Sequence, residues 1–514
     1  MADLTNASIA DPVDLLVVGA GVNGAGIARD AAGRGLSVVL CDRDDLASGT
    51  SSRSGKLVHG GLRYLEYYEF RLVREALIER EVLLRSAPHI IWPMRFVLPH
   101  DKSQRPAWLV RLGLFLYDHL GGRQKLPGCR RLDLRTEPEG EPLLPGYSKA
   151  FEYSDCWVDD ARLVVLNAKS AEQNGAVVLP RTECVSIRRD GDLWQATLRA
   201  DHSRAERQIR ARIVVNAAGP WVEKMLAGVV GYNARSRVRL VRGSHLIVRR
   251  LYDGPQAYLI QNTDKRVIFV NPYEGDYNLI GTTDIPQDAD PDQVAISPEE
   301  VAYLCAATNR YFKRKIAPED VVHSFSGVRP LYDDAAEDPS AVTRDYVFDI
   351  DAEAGCAPLL SIYGGKITTY RKLAEHALEK LKPFMPKMGA AWTGNAPLPG
   401  GDMPDADYES YGIRFRAERP WLPQAVAQHY LRCYGTIAER ILGEARSLDD
   451  LGRHFGAGLY EREVRYLVDE EWAMTLEDII ERRTKYYLHL SQDEIARFAA
   501  WLARERGTSQ AHAV

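Results

Sequence analysis

The stretch DLLVVGAGVNG, residues 14–24, places a short apolar run directly before a glycine-rich turn. Residues 15–18 are all Leu or Val, which is typical of a strand buried in a parallel sheet. A helical pattern follows from about 22 to 34, and a second apolar run occupies 36–40. The chain is therefore predicted to open with a strand–helix–strand unit, the building block of α/β folds.

The glycines of this turn have the spacing of a dinucleotide-binding motif. Gly19 permits the tight turn, Gly21 lets a pyrophosphate approach the backbone, and Gly24 allows the helix to pack closely on the strand. Asp42 follows Gly24 by 18 residues, at the end of the second strand, where a carboxylate can accept hydrogen bonds from a ribose. The spacing predicts a dinucleotide site and leaves NAD and FAD both open.

The hydroxyl-rich loop GTSSRSGKL, residues 49–57, resembles a phosphate-binding loop but lacks its spacing. Five residues separate its two glycines, and Leu57 stands where the metal-binding hydroxyl would be required. Two interpretations remain open for this loop. It could hydrogen-bond a dinucleotide, because it follows the acid-bearing strand, or it could be a solvated surface loop.

Length and composition exclude several classes of protein. The chain has 514 residues, 45% of them hydrophobic and 27% charged, with a net charge of −5. A small binding module, global disorder and a non-specific coat on nucleic acid are excluded. Seven cysteines without a CxxC pair argue against a disulfide framework, and the absence of HExxH and GxSxG motifs argues against metalloprotease and serine-hydrolase chemistry. No metal site, signal peptide or membrane-spanning helix is predicted.

The rest of the chain divides into a mixed region and a helical end. An amphipathic helix is predicted over 70–87, strands and turns over about 180–290, and a further strand at 359–363 followed by a helix from 368 to about 381. The Gly- and Pro-rich residues 392–404 are predicted to link two domains, 1–391 and 392–514. Everything after this linker has a helical pattern, including 461–472.

Cationic side chains next to glycines, prolines and strand ends form the second candidate site. Such side chains bind phosphate monoesters well, although a single arginine more often forms a surface salt bridge. These residues are Arg63, Arg329, Arg344 and Lys366. His59 and His245 are candidate bases, each with a purely structural role as its alternative. The amides of Gly364 and Gly365, at a strand-to-helix junction, could stabilise negative charge, or could form an ordinary turn.

Residues 102–135 carry eight cations against two acids and contain the apolar run WLVRLGLFLY, residues 108–117. Basic residues near an anionic membrane surface attract it. This segment is the candidate membrane-contact surface, and a solvated loop or a dimer contact is its alternative.

Several long motifs resemble the aerobic, FAD-dependent glycerol-3-phosphate dehydrogenases, and the match extends over nearly the whole chain. They are GAGVNGAG at 19–26, TSSRSGK at 50–56, HGGLRYLE at 59–66, FEYSDCWVDD at 151–160, GVRP at 327–330, TRDY at 343–346, GGKITTYRK at 364–372 and ERRTK at 481–485. Two positions depart from the family's common pattern, Asp42 in place of Glu and Gly55 in place of Ser.

The resemblance implies an α/β fold in which a Rossmann-type FAD-binding domain is interleaved with a strand-rich substrate domain, followed by a helical C-terminal domain. It implies oxidation of sn-glycerol 3-phosphate to dihydroxyacetone phosphate, with electrons passed through FAD to ubiquinone. It also implies peripheral attachment to the cytoplasmic face of the inner membrane. Nucleic acid is not an expected partner, and a homodimer is left open.

By matched motif, the residues expected to contact FAD are Gly19, Gly21, Gly24, Asp42, Thr50, Ser51 and Lys56, with Gly364 and Gly365 beside the flavin ring. The residues expected to line the substrate site are Arg63, Tyr64, His245, Arg329, Arg344 and Lys366.

In this hypothesis Arg63, Arg344 and Lys366 hold the phosphate, His245 is the base, and Arg329 stabilises the developing alkoxide. The alternatives are a glycerol-3-phosphate oxidase that uses oxygen, an amine-oxidising flavoenzyme of the same fold, and a non-catalytic flavoprotein that senses redox state.

Overall fold

The structure is a computed structural model that describes residues 4, 6–101, 104–122, 125–201, 203–231, 238–332, 345–353 and 355–511. The strands in chain order are β1 (Val13–Val18), β2 (Val38–Cys41), β3 (Leu57–Val58), β4 (Ile91–His100), β5 (Arg130–Asp133), β6 (Lys149–Val158), β7 (Val177–Leu179), β8 (Thr182–Asp190), β9 (Leu193–Ala200), β10 (Glu206–Asn216), β11 (Val238–Arg249), β12 (Ala257–Gln261), β13 (Val267–Tyr273), β14 (Tyr277–Gly281), β15 (Ile285–Pro286), β16 (Val321–Tyr332), β17 (Val347–Asp351), β18 (Leu359–Tyr363), β19 (His454–Gly456) and β20 (Leu459–Tyr460). The α-helices are α1 (Val22–Gly33), α2 (Phe70–Ser86), α3 (Ala107–Leu120), α4 (Asp160–Gln173), α5 (Val222–Met225), α6 (Pro298–Asn309), α7 (Tyr370–Leu381), α8 (Tyr408–Glu418), α9 (Gln424–Tyr434), α10 (Ile437–Leu442), α11 (Glu461–Glu470) and α12 (Gln492–Ala511).

The first sheet is built around the predicted opening strand. Its main path is β17-β18-β10-β1-β2-β7, and the hairpin of β8 and β9 extends from β10. Strand β1 pairs in parallel with both β2 and β10, so the apolar residues of this strand are covered on both faces of the sheet. Helices α1, α4 and α7 pack together on one face around a shared hydrophobic core. The predicted strand–helix–strand unit is confirmed, with β2 beginning two residues later than expected.

The second sheet has ten strands and takes its residues from other parts of the chain. Its main path is β15-β11-β14-β13-β12-β4-β6-β3, with β16 paired to β11 and β5 paired to β6. Strands β3 to β6 belong to this sheet, β7 to β10 belong to the first sheet, and β11 to β16 belong to the second sheet again. This alternation confirms the interleaved arrangement of the two parts.

Helices α8 to α12 form a separate hydrophobic core from residues between Met403 and Leu502. The prediction that this region is helical throughout is wrong at one place, because β19 and β20 form a two-stranded hairpin. Gly456 and Gly458 adopt the positive φ angles that let the chain reverse within two residues. The motif GAG at 456–458 is the turn signal for this hairpin.

The predicted linker packs against the first helix. The ring of Trp392 lies against Gly33, and its Nε1 donates a hydrogen bond to the carbonyl of Asp30 at 3.2 Å. The Arg29 guanidinium donates to the carbonyls of Ala396 and Pro397.

A bilayer-spanning helix needs about 20 apolar residues, and none of the helices in the described ranges meets that requirement.

Candidate functional site

A cavity of about 1260 Å³ opens at the carboxyl ends of β1 and β10 and is lined by residues of both sheets. Of the predicted site residues that the structure describes, all but Gly24 and Lys56 line it, and the candidate base His59 lines it as well. Besides His59, those that do are Gly19, Gly21, Asp42, Thr50, Ser51, Arg63, Tyr64, His245, Arg329, Gly364, Gly365 and Lys366. The predicted nucleotide-binding turn and the predicted substrate-binding cations therefore share one cavity.

The glycine-rich turn has the geometry that its spacing predicts. Gly19 has a φ of +105°, and a Cβ there would lie 2.6 Å from the carbonyl oxygen of Ala217. A Cβ on Gly21 would lie 3.1 Å from the Ser51 hydroxyl, so the absence of a side chain leaves the backbone open to the cavity. Gly24 does not line the cavity. A Cβ on Gly24 would lie 1.8 Å from the Gly19 carbonyl oxygen, so its role is helix–strand packing.

Asp42 stands at the end of β2, and two backbone amides hold its carboxylate. Oδ2 accepts from the amide of Ala20 at 2.6 Å, and Oδ1 accepts from the amide of Asp44 at 2.9 Å. Burial raises the pKa of Asp42 to about 6, against the lowering effect of these two hydrogen bonds. The side chain is fixed beside the glycine turn, where a ribose hydroxyl can donate to it.

Two hydroxyls of the loop at 49–56, those of Thr50 and Ser51, already bond to the backbone. The Thr50 hydroxyl donates to the carbonyl of Val328 at 2.6 Å, which ties the loop to β16. The Ser51 hydroxyl oxygen accepts from the amide of Val22 at 3.0 Å, in the first turn of α1. Its own proton remains available for a phosphate oxygen at that helix start.

Lys56 has a different partner from the one the resemblance implies. Its Nζ lies 2.7 Å from Asp160 Oδ1 and 3.1 Å from the carbonyl of Ser52, and the side chain is buried. Lys56 does not line the cavity. The Lys56 side chain is therefore held by a carboxylate 104 residues away, and the expected contact of Lys56 with the cofactor stays a prediction.

The turn at Gly364 and Gly365 lies against the first turn of α1. Both glycines have positive φ angles, and the Asn23 amide nitrogen donates to the Gly364 carbonyl at 3.2 Å. Asn23 Oδ1 is buried and has no hydrogen-bond partner among the described residues. Helix α7 begins only at Tyr370, after a 3-10 turn at Ile367–Thr369, so the two glycines do not lie at the start of the α-helix as predicted.

His245 lies on β11, and its ring stacks on that of Phe325 with 5.0 Å between ring centroids. Burial, together with the nearby charges of Arg329 and Lys56, lowers the pKa of His245 to about 3. The imidazole is therefore neutral at physiological pH. Its Nδ1 is buried without a hydrogen-bond partner among the described residues.

Arg329, on β16, is held by a short turn that follows β14. One guanidinium nitrogen forms an ion pair with Asp284, and the other donates to the carbonyl of Thr283 at 2.8 Å. Asp284 also lines the cavity. The cation expected to stabilise an alkoxide is therefore partly neutralised by a carboxylate in the same cavity.

Lys366 and Tyr64 form one wall of the cavity, with the Lys366 Nζ 3.9 Å from the centroid of the Tyr64 ring. Arg63 and Tyr64 belong to a 3-10 turn, Leu62–Tyr67, which follows Gly61 in a left-handed conformation. Arg344 lies outside the described residues, so its expected place in the site is not tested.

Asp284 and Trp221 are among the cavity-lining residues that the sequence analysis did not identify. Trp221 follows β10 in the sequence AAGPW, and its Nε1 is buried without a hydrogen-bond partner among the described residues. Asp284 ends the sequence GTTD after a buried strand, and a polar run at a strand end is the signal that could have indicated it.

The lining residues fit an adenine dinucleotide. The cavity offers a backbone turn without side chains, the start of α1 and a fixed carboxylate. Asn23 and Trp221, among its described lining residues, also have buried polar atoms without a hydrogen-bond partner. Its volume exceeds that of an ordinary small-ligand pocket, which leaves room for a substrate beside the dinucleotide.

Comparison with known proteins agrees with this geometry. The family model for FAD-dependent oxidoreductases matches residues 14–371, and the model for the C-terminal domain of alpha-glycerophosphate oxidase matches residues 391–513. The D-erythritol 1-phosphate dehydrogenase of Brucella abortus is 61% identical over 95% of this chain and 97% of its own length. The glycerol-3-phosphate dehydrogenase of Pseudomonas aeruginosa is 52% identical over 98% of both chains.

Among solved structures, the glycerol-3-phosphate dehydrogenase of Bacillus halodurans complexed with FAD is 27% identical. It has a TM-score of 0.73, with 96% of this chain and 94% of that chain covered. The cofactor is therefore FAD, as the fold and the family both require. The chain belongs to the family of FAD-dependent glycerol-3-phosphate dehydrogenases.

Proposed function

We propose that the protein oxidises sn-glycerol 3-phosphate at its C2 hydroxyl to dihydroxyacetone phosphate. The observation that carries this proposal is the shared cavity, in which the dinucleotide turn, His245 and several cations line one continuous space. The 52% identity to a glycerol-3-phosphate dehydrogenase over nearly the whole chain supports it.

The cations of the cavity bind and orient the phosphate. Arg63 and Lys366 both line the space, and Lys366 packs on the Tyr64 ring, which limits the freedom of its ammonium group. Orientation of a bound substrate of this kind is worth on the order of 7–11 kcal/mol in favourable cases. Arg344 remains a proposed member of this group from the sequence alone.

Bound FAD supplies the acceptor for the hydride that leaves C2. His245 is the proposed base, since its ring is neutral and free to accept the hydroxyl proton; its lowered pKa makes it a weaker base than an ordinary histidine, and the negative charge of a bound phosphate ester would raise that pKa. Arg329 stabilises negative charge on the C2 oxygen. The ion pair with Asp284 fixes the guanidinium, and the carboxylate partly offsets its positive charge before substrate binds.

A second candidate substrate is D-erythritol 1-phosphate, favoured by the 61% identity to a D-erythritol 1-phosphate dehydrogenase. The two substrates carry the same phosphate and differ by one hydroxylated carbon. A panel of polyol phosphates, assayed with one artificial electron acceptor, distinguishes them. A higher kcat/KM for the three-carbon ester supports our first proposal, and a higher value for the four-carbon ester replaces it.

We further propose that electrons pass to ubiquinone at the cytoplasmic face of the membrane. Helix α3 presents an apolar face to solvent, with Trp108 67% and Phe115 57% exposed, and Leu112 and Tyr68 are exposed nearby. Several residues of α3 also line the cavity, so this face adjoins the site. Among the basic residues of the predicted membrane-contact segment, Arg130 and Arg135 form ion pairs with acidic side chains. The exposed apolar side chains are therefore the stronger support for a membrane contact.

The electron acceptor is tested by comparing turnover with a short-chain ubiquinone and with oxygen. Fast turnover with the quinone and little peroxide support the proposal. A stoichiometric yield of peroxide at a comparable rate would identify an oxidase instead.

A further inference from the structure

Behind His245 and Arg329 lies a buried polar cluster, which we define as Glu300, Ser244, Thr283 and Ser326. All four residues are at most 4% exposed; Ser326 lines the cavity, and the other three are not among its lining residues. Ser244 precedes His245 on β11, and Thr283 precedes Asp284 in the turn after β14. The cluster therefore joins the backbone segments that carry the proposed base and the partner of Arg329.

One oxygen of Glu300 faces these segments. Oε1 accepts from the hydroxyl of Thr283 at 2.6 Å and from the hydroxyl of Ser244 at 2.8 Å. The amide of Ser244 donates to the Thr283 hydroxyl oxygen at 3.0 Å, and the Ser326 hydroxyl lies 2.8 Å from that of Ser244. Since Ser244 and Thr283 each have one hydroxyl proton, the acceptor-only carboxylate sets the direction of every bond in the cluster.

The other oxygen of Glu300 faces its own helix. Oε2 accepts from the amide of Ser297 at 3.0 Å and lies 2.9 Å from an Arg242 guanidinium nitrogen. The Ser297 hydroxyl in turn accepts from the Glu300 amide, which completes a capping box at the start of α6. The two oxygens thus have separable roles, one in the helix cap and one in the cluster.

The cluster reaches the site through a short chain of bonds. Glu300 holds the Thr283 hydroxyl, and the Thr283 carbonyl accepts from Arg329 at 2.8 Å. On β11, His245 pairs in register with Gly281 and with Phe325, next to the Ser244–Ser326 pair. We propose that Glu300 is a positioning residue, which orients Arg329 and His245 through Thr283 and Ser244. This inference rests on the function proposed above.

Glu300→Gln tests the inference while keeping the size of the side chain. The amide nitrogen of Gln cannot face Ser297 and Arg242, since both are donors, so it must face Thr283 and Ser244 and reverse their bonds. We expect kcat/KM for sn-glycerol 3-phosphate to fall about 100-fold, the scale of a displaced catalytic group, with FAD content unchanged.

Ser297→Ala is the matched control, because it removes the helix cap and leaves both Oε1 contacts in place. It should lower the melting temperature while kcat/KM stays within twofold of wild type. Thr283→Val removes the hydroxyl and should lower kcat/KM as Glu300→Gln does, whereas Thr283→Ser keeps the hydroxyl and should retain activity. If Glu300→Gln does not fold, the comparison of these two Thr283 variants tests the inference.

The inference is overturned if Glu300→Gln keeps kcat/KM within twofold, or if Ser297→Ala loses activity to the same extent. If the wild-type enzyme oxidises no polyol phosphate, the proposed function fails, and crystal structures of the wild-type and Glu300→Gln holoenzymes still test the positioning role. Loss of the bond between Arg329 and the Thr283 carbonyl in Glu300→Gln supports the role, and an unchanged position of Arg329 and His245 contradicts it.

Discussion

Lys56 and Asp160 form a buried ion pair, with Nζ 2.7 Å from Oδ1, although 104 residues separate them in the chain. Asp160 is the first residue of α4, and the adjacent Asp159 pairs with Lys485 near the end of the chain. The Lys56 Nζ also lies 5.3 Å from the centroid of the Phe325 ring, on which His245 stacks. The pair therefore fixes the loop at 49–56 between the start of α4 and the wall of the cavity.

Replacement of Lys56 by Met should destabilise the protein strongly. It leaves the Asp160 carboxylate buried without its cation, and the loss of one partner of a buried pair costs about 3–5 kcal/mol. Lys372→Met is the control, because Lys372 is 41% exposed and its pair with Glu375 is worth at most about 1 kcal/mol. Urea denaturation of both holoenzymes measures the difference. Equal midpoints for the two variants would show that the Lys56 pair contributes little.

Asp42 should make FAD binding depend on pH. Its pKa is about 6, and ribose hydroxyls donate best to its ionised form, so bound FAD should lower that pKa. By linkage, affinity for FAD then weakens as the pH falls from 7 to 5, because protonation of Asp42 competes with binding. Titration of the cofactor-free protein with FAD measures this effect. Asp42→Asn should bind more weakly at pH 7 and show a flatter pH profile, and two parallel profiles would rule out Asp42 as the titrating group.

Arg63→Ala should raise the KM for sn-glycerol 3-phosphate at least about tenfold, since a hydrogen bond to a charged group is worth about 1.5–3 kcal/mol. FAD content should stay unchanged, because the dinucleotide turn is formed by other residues. Arg74→Ala, an exposed arginine on α2, is the control. Steady-state kinetics with matched flavin content measure the effect, and an unchanged KM would remove Arg63 from the phosphate site.

The exposed face of α3 should bind lipid. Substitution of both Trp108 and Phe115 by Ser removes two large apolar side chains from this face and should reduce the fraction that sediments with anionic liposomes. Ile413→Ser is the control, since Ile413 is 63% exposed on α8, in the C-terminal region. Sedimentation of the double variant at the wild-type level would argue against α3 as the contact.

The sequence was most informative where function depends on local geometry. The turn at 19–24 needs glycines because the backbone of Ala217 and the helix α1 approach it closely, and such requirements leave a pattern within a few residues. The cations Arg63, Arg329 and Lys366 could also be identified from local sequence, because they stand next to glycines, prolines or predicted strand ends.

Pairings between distant segments could not be predicted. The partner of Lys56 is on α4, and the partner of Arg329 is on a turn that becomes its neighbour only when β11 pairs with both β14 and β16. The cluster around Glu300 depends on the same pairing. Residues of this kind carry no spacing signal, because their partners are set by sheet topology.

The most direct test of the account is an anaerobic titration of the purified flavoprotein with sn-glycerol 3-phosphate, followed in the visible spectrum. The account predicts that the oxidised flavin absorbance is lost as substrate is added, and that Arg63→Ala requires a higher concentration for the same loss. D-erythritol 1-phosphate in a parallel titration shows whether the four-carbon ester is the better reductant. A fully flavinated protein whose spectrum neither ester changes would contradict the proposal that this cavity oxidises a polyol phosphate.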